Sequence, residues 1–152
     1  MTVGKAVSVV LEPVSDRNRR AILALELLPG QQDFVASNAD SLEEAGEDGD
    51  AVPRAIVADG RVVGFLMYDA SNDDEANIYR FMIDRREQGR GLGRAGIAAA
   101  LGEIEGLAHV RKVLICYEPA NTAAKQLYAS FGFVEQGLDE DGEMIAELDL
   151  RR

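Results

Sequence analysis

The segment 80–96, RFMIDRREQGRGLGRAG, constrains this chain more than any other. A β-type run, Phe81-Met82-Ile83, gives way to a basic glycine-rich turn, Gln88-Gly89-Arg90-Gly91-Leu92-Gly93-Arg94, and helical spacing begins at once. Glycines let a backbone approach a ligand closely and adopt positive φ. The first amides of the helix lack intrahelical partners, and its dipole adds partial positive charge there. Together they make a seat for a pyrophosphate, with Arg86, Arg90 and Arg94 as charges at its rim. The dinucleotide-binding fingerprint fits poorly, because Asp84, Arg85, Arg86 and Glu87 separate strand from turn. No Gly-Lys-Ser/Thr follows, which excludes the Walker pattern. Taken alone, the turn also fits a plain strand-to-helix connection carrying surface arginines.

The rest of the chain supplies a sheet and helices around that junction. A β-branched run predicts a first strand over 7–11, ended by Pro13. Ser15 or Asp16 caps a helix over 17–28 with Ile22, Leu25 and Leu28 on one face, and Pro29-Gly30 stops it. Ser37-Asn38 starts a second helix through Leu42 and Ala45, which fades into an acidic loop. Strands over 55–58 and 62–68 flank Asp59-Gly60, a strong hairpin signal. A fourth strand is expected over 77–83, a helix over 91–105, and a buried fifth strand over 113–117. A helix from Asn121-Thr122 through Phe131 closes at Gly132, and strands over 133–136 and 144–150 flank Asp141-Gly142. The expectation is an α/β (α+β) fold in one domain spanning 1–152.

Charge narrows the partners. Sixteen Lys and Arg against 27 Asp and Glu give a net charge of -11. That argues against nucleic acid or an anionic membrane as partner, since both need a basic footprint. It suits a cationic small molecule, and it equally suits plain solubility. Residues 1–13 hold no signal-peptide pattern and no apolar run approaches the ~20 residues of a membrane span, so a cytoplasmic location is expected. Cys116 is the single cysteine, which excludes an internal disulfide, and no His/Cys cluster suggests a metal.

Gln88-Gly89-Arg90-Gly91-Leu92-Gly93 resembles the Gln/Arg-x-x-Gly-x-Gly/Ala signature of the GNAT superfamily of N-acetyltransferases. The stretch from Asn121 through Tyr128 to Gly132-Phe133 is similar to the second motif of that family, in the right order and at the right separation. The resemblance covers nearly the whole chain. It implies a mixed, mostly antiparallel sheet of about seven strands with a central splayed pair and about four helices. A nearer resemblance, to bacterial diamine or spermine/spermidine acetyltransferases, lies partly outside those motifs. It is carried by Asp16-Arg17-Asn18-Arg19, Gln32-Asp33-Phe34-Val35-Ala36-Ser37, Val63-Gly64-Phe65-Leu66-Met67-Tyr68, Arg80-Phe81-Met82-Ile83-Asp84 and the 137–143 turn. The loop 69–75 is shorter here than in those relatives, near where acceptor selectivity is expected to be set.

The resemblance implies roles. Acetyl-CoA is the cosubstrate, with its pyrophosphate on Gln88, Gly89, Arg90, Gly91, Leu92, Gly93 and Arg94. The strand Phe81, Met82, Ile83 offers backbone groups to the pantetheine and acetyl carbonyl, and an amide near Phe81 stabilises the oxyanion. Asn121 caps its helix and bonds the pantetheine. Tyr128, a phenol with an ordinary pKa of about 10, is the expected proton donor to the departing thiolate. Its helical spacing with Ala124, Leu127 and Phe131 fits a core residue as well. Glu75, Asp84 and Glu118 are carboxylates near the motif strands, and the base that takes the acceptor's proton stays open among them and a water relay. Relatives that acetylate protein N-termini carry a Glu five residues before the Asn, where this chain has Cys116. His109 is expected at the surface.

The leading expectation is direct acetyl transfer to a primary amine of a polyamine or diamine in a ternary complex. Alternatives are another amine (an aminoglycoside, an amino acid or a protein amine) or a noncatalytic acetyl-CoA-binding module. A homodimer is the expected assembly if the last apolar strand, 144–150, pairs across an interface.

Overall fold

The computed structural model describes residues 8–27 and 37–151. Among them are seven strands: β1 (Val10–Pro13), β2 (Ala51–Ala58), β3 (Arg61–Asp69), β4 (Glu75–Ile83), β5 (Lys112–Tyr117), β6 (Val134–Leu138) and β7 (Met144–Asp149). The helices are α1 (Asp16–Leu23), α2 (Asn38–Glu47), α3 (Leu92–Glu105) and α4 (Thr122–Ser130), with one 3₁₀ turn at Arg85–Glu87. The strands form one sheet in the order β1-β2-β3-β4-β5-β7-β6, antiparallel everywhere except between β4 and β5. This is the mixed, mostly antiparallel architecture expected. None of the described helices is long and apolar enough to cross a membrane.

Alternation along the strands divides the core into two layers. Ala55, Val57, Phe65, Met67 and Met82 point to one face and pack with Ile22 of α1 and Leu42 of α2. Ile56, Leu66, Ile83, Ile115 and Tyr117 point to the other and pack with α3 and α4 through Leu92, Ile97, Ile104 and Tyr128. The β2–β3 turn places Asp59 at φ 51° and Gly60 at φ 79°, the paired positive values a two-residue hairpin demands.

One position shows how tightly β3 and β4 are joined. A Cβ built on Gly64 would lie 2.5 Å from the Met82 carbonyl oxygen and 2.8 Å from Ile83 Cδ1. The first of these is backbone of the paired strand and cannot yield. Gly64→Ala is therefore expected to cost about 3 kcal/mol. At about 2–4 °C per kcal/mol for a chain of this size, the melting temperature falls by about 6–12 °C; thermal denaturation followed by circular dichroism checks this.

Several boundaries differ from expectation for tertiary reasons. Strand β1 starts at Val10 rather than at residue 7, which lies outside the described residues, as does the stop at 29–30. It runs through Pro13, tolerated because β1 is an edge strand. Helix α1 ends at Leu23, although helical spacing predicts it to residue 28. Both backbone groups of Glu26 are taken by the end of β4: its amide donates to Asp84 at 2.8 Å, and its carbonyl accepts from the Arg85 amide at 2.6 Å. The acidic run starting at Glu43 stays helical through Glu47. Finally, β7 is paired on both sides, by β5 and by β6, so it has no free edge for pairing across an interface; the edges are β1 and β6.

Candidate active site

The central strands part. β4 and β5 pair only from Glu75↔Lys112 to Ile78↔Ile115, whereas β4 runs on to Ile83 and β5 to Tyr117. A register shift explains the divergence. Tyr68 faces Ile78 but Met67 faces Arg80, so Tyr79 is an extra residue on β4. Such a bulge bends its strand and raises the local twist, and it sits where β4 leaves β5. The gap opens into a cavity of about 430 Å³ walled by β4, the glycine turn, the end of β5 and α4.

Backbone alternation then decides which groups of β4 face the gap. The Asp84 amide donates to the Val63 carbonyl at 2.8 Å. In an antiparallel ladder alternate residues turn their backbone groups toward the partner. Asp84 and Met82 are therefore bonded to β3, while Ile83 and Phe81 turn their N–H and C=O into the gap. This narrows the expectation that the strand Phe81-Met82-Ile83 offers its backbone groups there. The Ile83 carbonyl is in turn held by the Gln88 side-chain amide at 2.9 Å, leaving Phe81 with both groups toward the cavity.

The glycine turn ends the gap. Gly89 and Gly91 have φ of 81° and 79°, and Gly91 is the N-cap of α3. Helices α1, α2 and α4 carry side-chain caps from Ser15, Ser37 and Asn121. α3 has none, so its first amides are left for a ligand in the cavity that Gly91, Leu92 and Gly93 line. Among the described α-helices α3 alone starts without a side-chain cap, and its start borders this cavity.

Of the predicted site residues, Phe81, Met82, Ile83, Gln88, Gly89, Gly91, Leu92, Gly93, Asn121 and Tyr128 line the one cavity. Arg90 and Arg94 do not: Arg90 pairs with Glu87, and the Arg94 guanidinium stacks 5.3 Å from the Phe131 ring centre. Arg86 pairs with Asp84 at 3.0 Å. Asn121 uses its side-chain oxygen to accept from the Ala124 amide at 3.1 Å, which keeps α4 capped and leaves its NH2 for other partners. Tyr128 is both core and site. It packs between Tyr117 and Phe133, with ring centres 5.5 and 6.0 Å away, yet lines the cavity. Burial, with Tyr117 beside it, pushes its phenol well above the usual value of ten. Tyr117 is itself pushed up to about 12 by burial and by Glu135.

The carboxylates separate clearly. Glu118 lines the cavity. Glu75 is bound to Lys112 at 3.2 Å, and Asp84 is buried as an acceptor for Glu26 and Arg86. The loop 69–75 does not line the cavity; its Asp74 carbonyl is tied to Arg111, and exposed His109 meets the Ala70 carbonyl at 2.8 Å. Polar lining residues to which the sequence assigned no role are Tyr79, Arg80 and Glu143. Arg80 is fastened to Glu44 of α2 at 2.8 Å. Burial pushes the Tyr79 phenol up to about 12, with Glu44 adding to the effect. Cys116 also lines the cavity, and burial raises its thiol, with Asp139 and Glu143 adding to the effect, so it is poorly disposed to ionise.

Comparison with known proteins agrees with this geometry. Residues 18–133 match the model of the Acetyltransferase (GNAT) family. The spermine/spermidine N(1)-acetyltransferase of Bacillus subtilis (strain 168) is 34% identical over 151 residues, covering 93% of this chain and 99% of that protein. In fold, the chain is similar to the aminoglycoside acetyltransferase AAC(6')-Ib in complex with ribostamycin and coenzyme A. That match has a TM-score of 0.79 at 16% identity and covers 95% of this chain and 94% of the other. It is also similar to the GNAT domain of S. lividans PAT, with a TM-score of 0.73 at 18% identity over 92% and 89% of the two chains. A splayed central pair, a glycine turn feeding an uncapped helix and a family match across both motifs converge: this chain belongs to the GNAT family of acetyltransferases.

Proposed function

We propose that this chain transfers acetyl from acetyl-CoA to a primary amine of a polyamine or diamine, by direct attack in a ternary complex, with residues 1–152 acting as one acetyltransferase domain. The observation that carries the transfer chemistry is the shared cavity: an anion seat at the α3 start and a buried phenol, Tyr128, border the same gap. The amine class is supported by the Bacillus subtilis relative, which aligns along nearly its whole length. Net charge of -11 favours approach of a polycation.

The residues divide the work. The first amides of α3, with Gly89 and Gly91, hold the pyrophosphate. The Phe81 amide, turned into the gap, donates to the acetyl oxygen as negative charge develops there. Asn121 offers its NH2 to the pantetheine. Tyr128 gives its proton to the departing sulfur. Because its phenolate is disfavoured by burial, the phenol must regain a proton as it gives one, and the acylated nitrogen, which carries a surplus proton, supplies it.

Release of CoA from acetyl-CoA, measured with spermine, spermidine, putrescine, aminoglycosides and amino acids, tests the reading. Rapid turnover of the polyamines alone is expected. Turnover confined to another amine would overturn the acceptor class, and acetyl-CoA binding without turnover of any amine would favour a noncatalytic module.

A further inference from the structure

The acidic side of the cavity holds two carboxylates, one just after β5 and one just before β7. β5 and β7 pair through Cys116↔Ile145 and Tyr117↔Met144. Glu118 directly follows β5 and Glu143 directly precedes β7, so the two flank that last pair, and both line the cavity. The turn that carries Glu143 is held firmly. Asp139 accepts from the Glu143 and Asp141 amides at 2.9 Å each, and the Asp139 amide donates to the Glu143 carbonyl at 2.7 Å.

The pair also lies on the appropriate face. Alternation along β5 sends Tyr117 to the α3/α4 layer, where it meets Tyr128, and so sends Cys116 and Glu118 to the opposite face. Glu143, which directly precedes β7, shares that face. Arg80, fastened to Glu44 of α2, lines the same wall. Two further polar atoms among the cavity's lining residues, the Tyr79 hydroxyl and Arg80 Nε, are sealed from solvent without a hydrogen-bond partner among the described residues. Unsatisfied buried polar groups of this kind are rare in folded proteins. Carboxylates on one side of the gap and the Tyr128 phenol on the other match a reaction in which nitrogen joins and sulfur leaves the same carbon.

We propose that Glu118 and Glu143 receive the acceptor's ammonium and that Glu143 takes its proton. The inference rests on the acetyl-transfer reading above. The ammonium gives one proton to the Glu143 carboxylate. The neutral nitrogen then bonds to the carbonyl carbon as the carbon–sulfur bond breaks and sulfur departs with the electron pair. Tyr128 protonates that sulfur and is refilled by the nitrogen's surplus proton; Glu143 returns its own proton to water. Burial raises the Glu143 carboxyl above the ordinary range, with Asp139, Glu118 and Asp141 pushing the same way and Arg80 opposing, so the group is a stronger base than a free glutamate. The upward shift means that the folded chain binds this proton more tightly than the unfolded one. Stability therefore falls as pH rises above about 4.3, the unfolded value, and a neutral side chain removes that penalty at neutral pH.

Steady-state kinetics from pH 6 to 10 with spermidine, or with whichever amine the panel shows to be turned over, test the proposal. Glu143→Gln is expected to lower kcat/KM by about 10²-fold at neutral pH. Its profile should climb toward the free amine's own pKa of about 10.4 without the neutral plateau of the wild type. Glu143→Asp should restore the plateau at a reduced rate. Glu118→Gln should act mainly on KM for the amine. Asp141→Asn removes the same charge from an exposed position in the same turn and should leave activity within about threefold of wild type. Acetyl-CoA affinity should hold in all four variants, and Glu143→Gln should melt no lower than wild type. A neutral plateau retained by Glu143→Gln, or an equal loss in Asp141→Asn, would overturn the proposal. Turnover of a non-polyamine acceptor that still depends on Glu143 would sink only the acceptor class, and no turnover of any amine would sink both.

Discussion

Replacing Gly91 with valine is expected to weaken acetyl-CoA binding by about 10³-fold, the loss of two charge-assisted hydrogen bonds at about 2 kcal/mol each. Gly91 holds φ at 79° as the N-cap of α3, a conformation in which a β-branched residue is strongly disfavoured. Relaxing that strain rotates the peptide units at the start of α3, whose residues line the cavity. Strain alone is separable from seat loss by a control. Gly60 has the same φ of 79° in the β2–β3 turn, with open space around it and no part in the cavity. Gly60→Val should therefore lower the melting temperature by a similar amount while leaving acetyl-CoA affinity intact. Calorimetric titration of both variants decides. Normal affinity in Gly91→Val would remove the α3 start from the cofactor site.

Tyr128→Phe is expected to lower kcat by about 10³-fold while acetyl-CoA affinity stays within about threefold, the range of a lost general acid. The substitution removes one hydroxyl and keeps the ring in place between Tyr117 and Phe133, so the melting temperature should move little. The phenol is held well above its ordinary value by burial, and it therefore stays protonated throughout the neutral range. Consequently the wild-type profile should show no alkaline loss from this group below about pH 10. Unchanged turnover in the variant would return Tyr128 to a purely packing role.

Much of this fold was legible because its signals are local. Asp59-Gly60 specified a hairpin because both central residues must take positive φ. Ser15, Ser37 and Asn121 announced three helix starts by their capping chemistry, and each caps its helix. The fourth start was legible for the opposite reason, a glycine where a cap would otherwise stand. The misplaced end of α1 shows where such reasoning stops. Ile22 and Leu25 continue a helical face, but Asp84 and Arg85 claim the backbone of Glu26 from across the sheet. The contacts of the arginines were not legible either. Arg86, Arg90 and Arg94 surround the turn in sequence, yet Asp84, Glu87 and the Phe131 ring hold them elsewhere.

The sequence by itself determined the strand, glycine turn and helix of the proposed anion seat, and it placed Tyr128 on a helix with one apolar face. Each depends on residues within one or two turns of one another. Only the tertiary structure decided that the extra residue is Tyr79, that β4 therefore leaves β5 after Ile78, and that Phe81 turns its backbone into the gap. It alone brought Glu118 and Glu143 to one cavity and removed Glu75 and Asp84 from it. The physical reason is register. Which residues of distant strands face each other follows from packing and ladder hydrogen bonds summed over the whole sheet, and a shift of one residue sends every side chain to the opposite face.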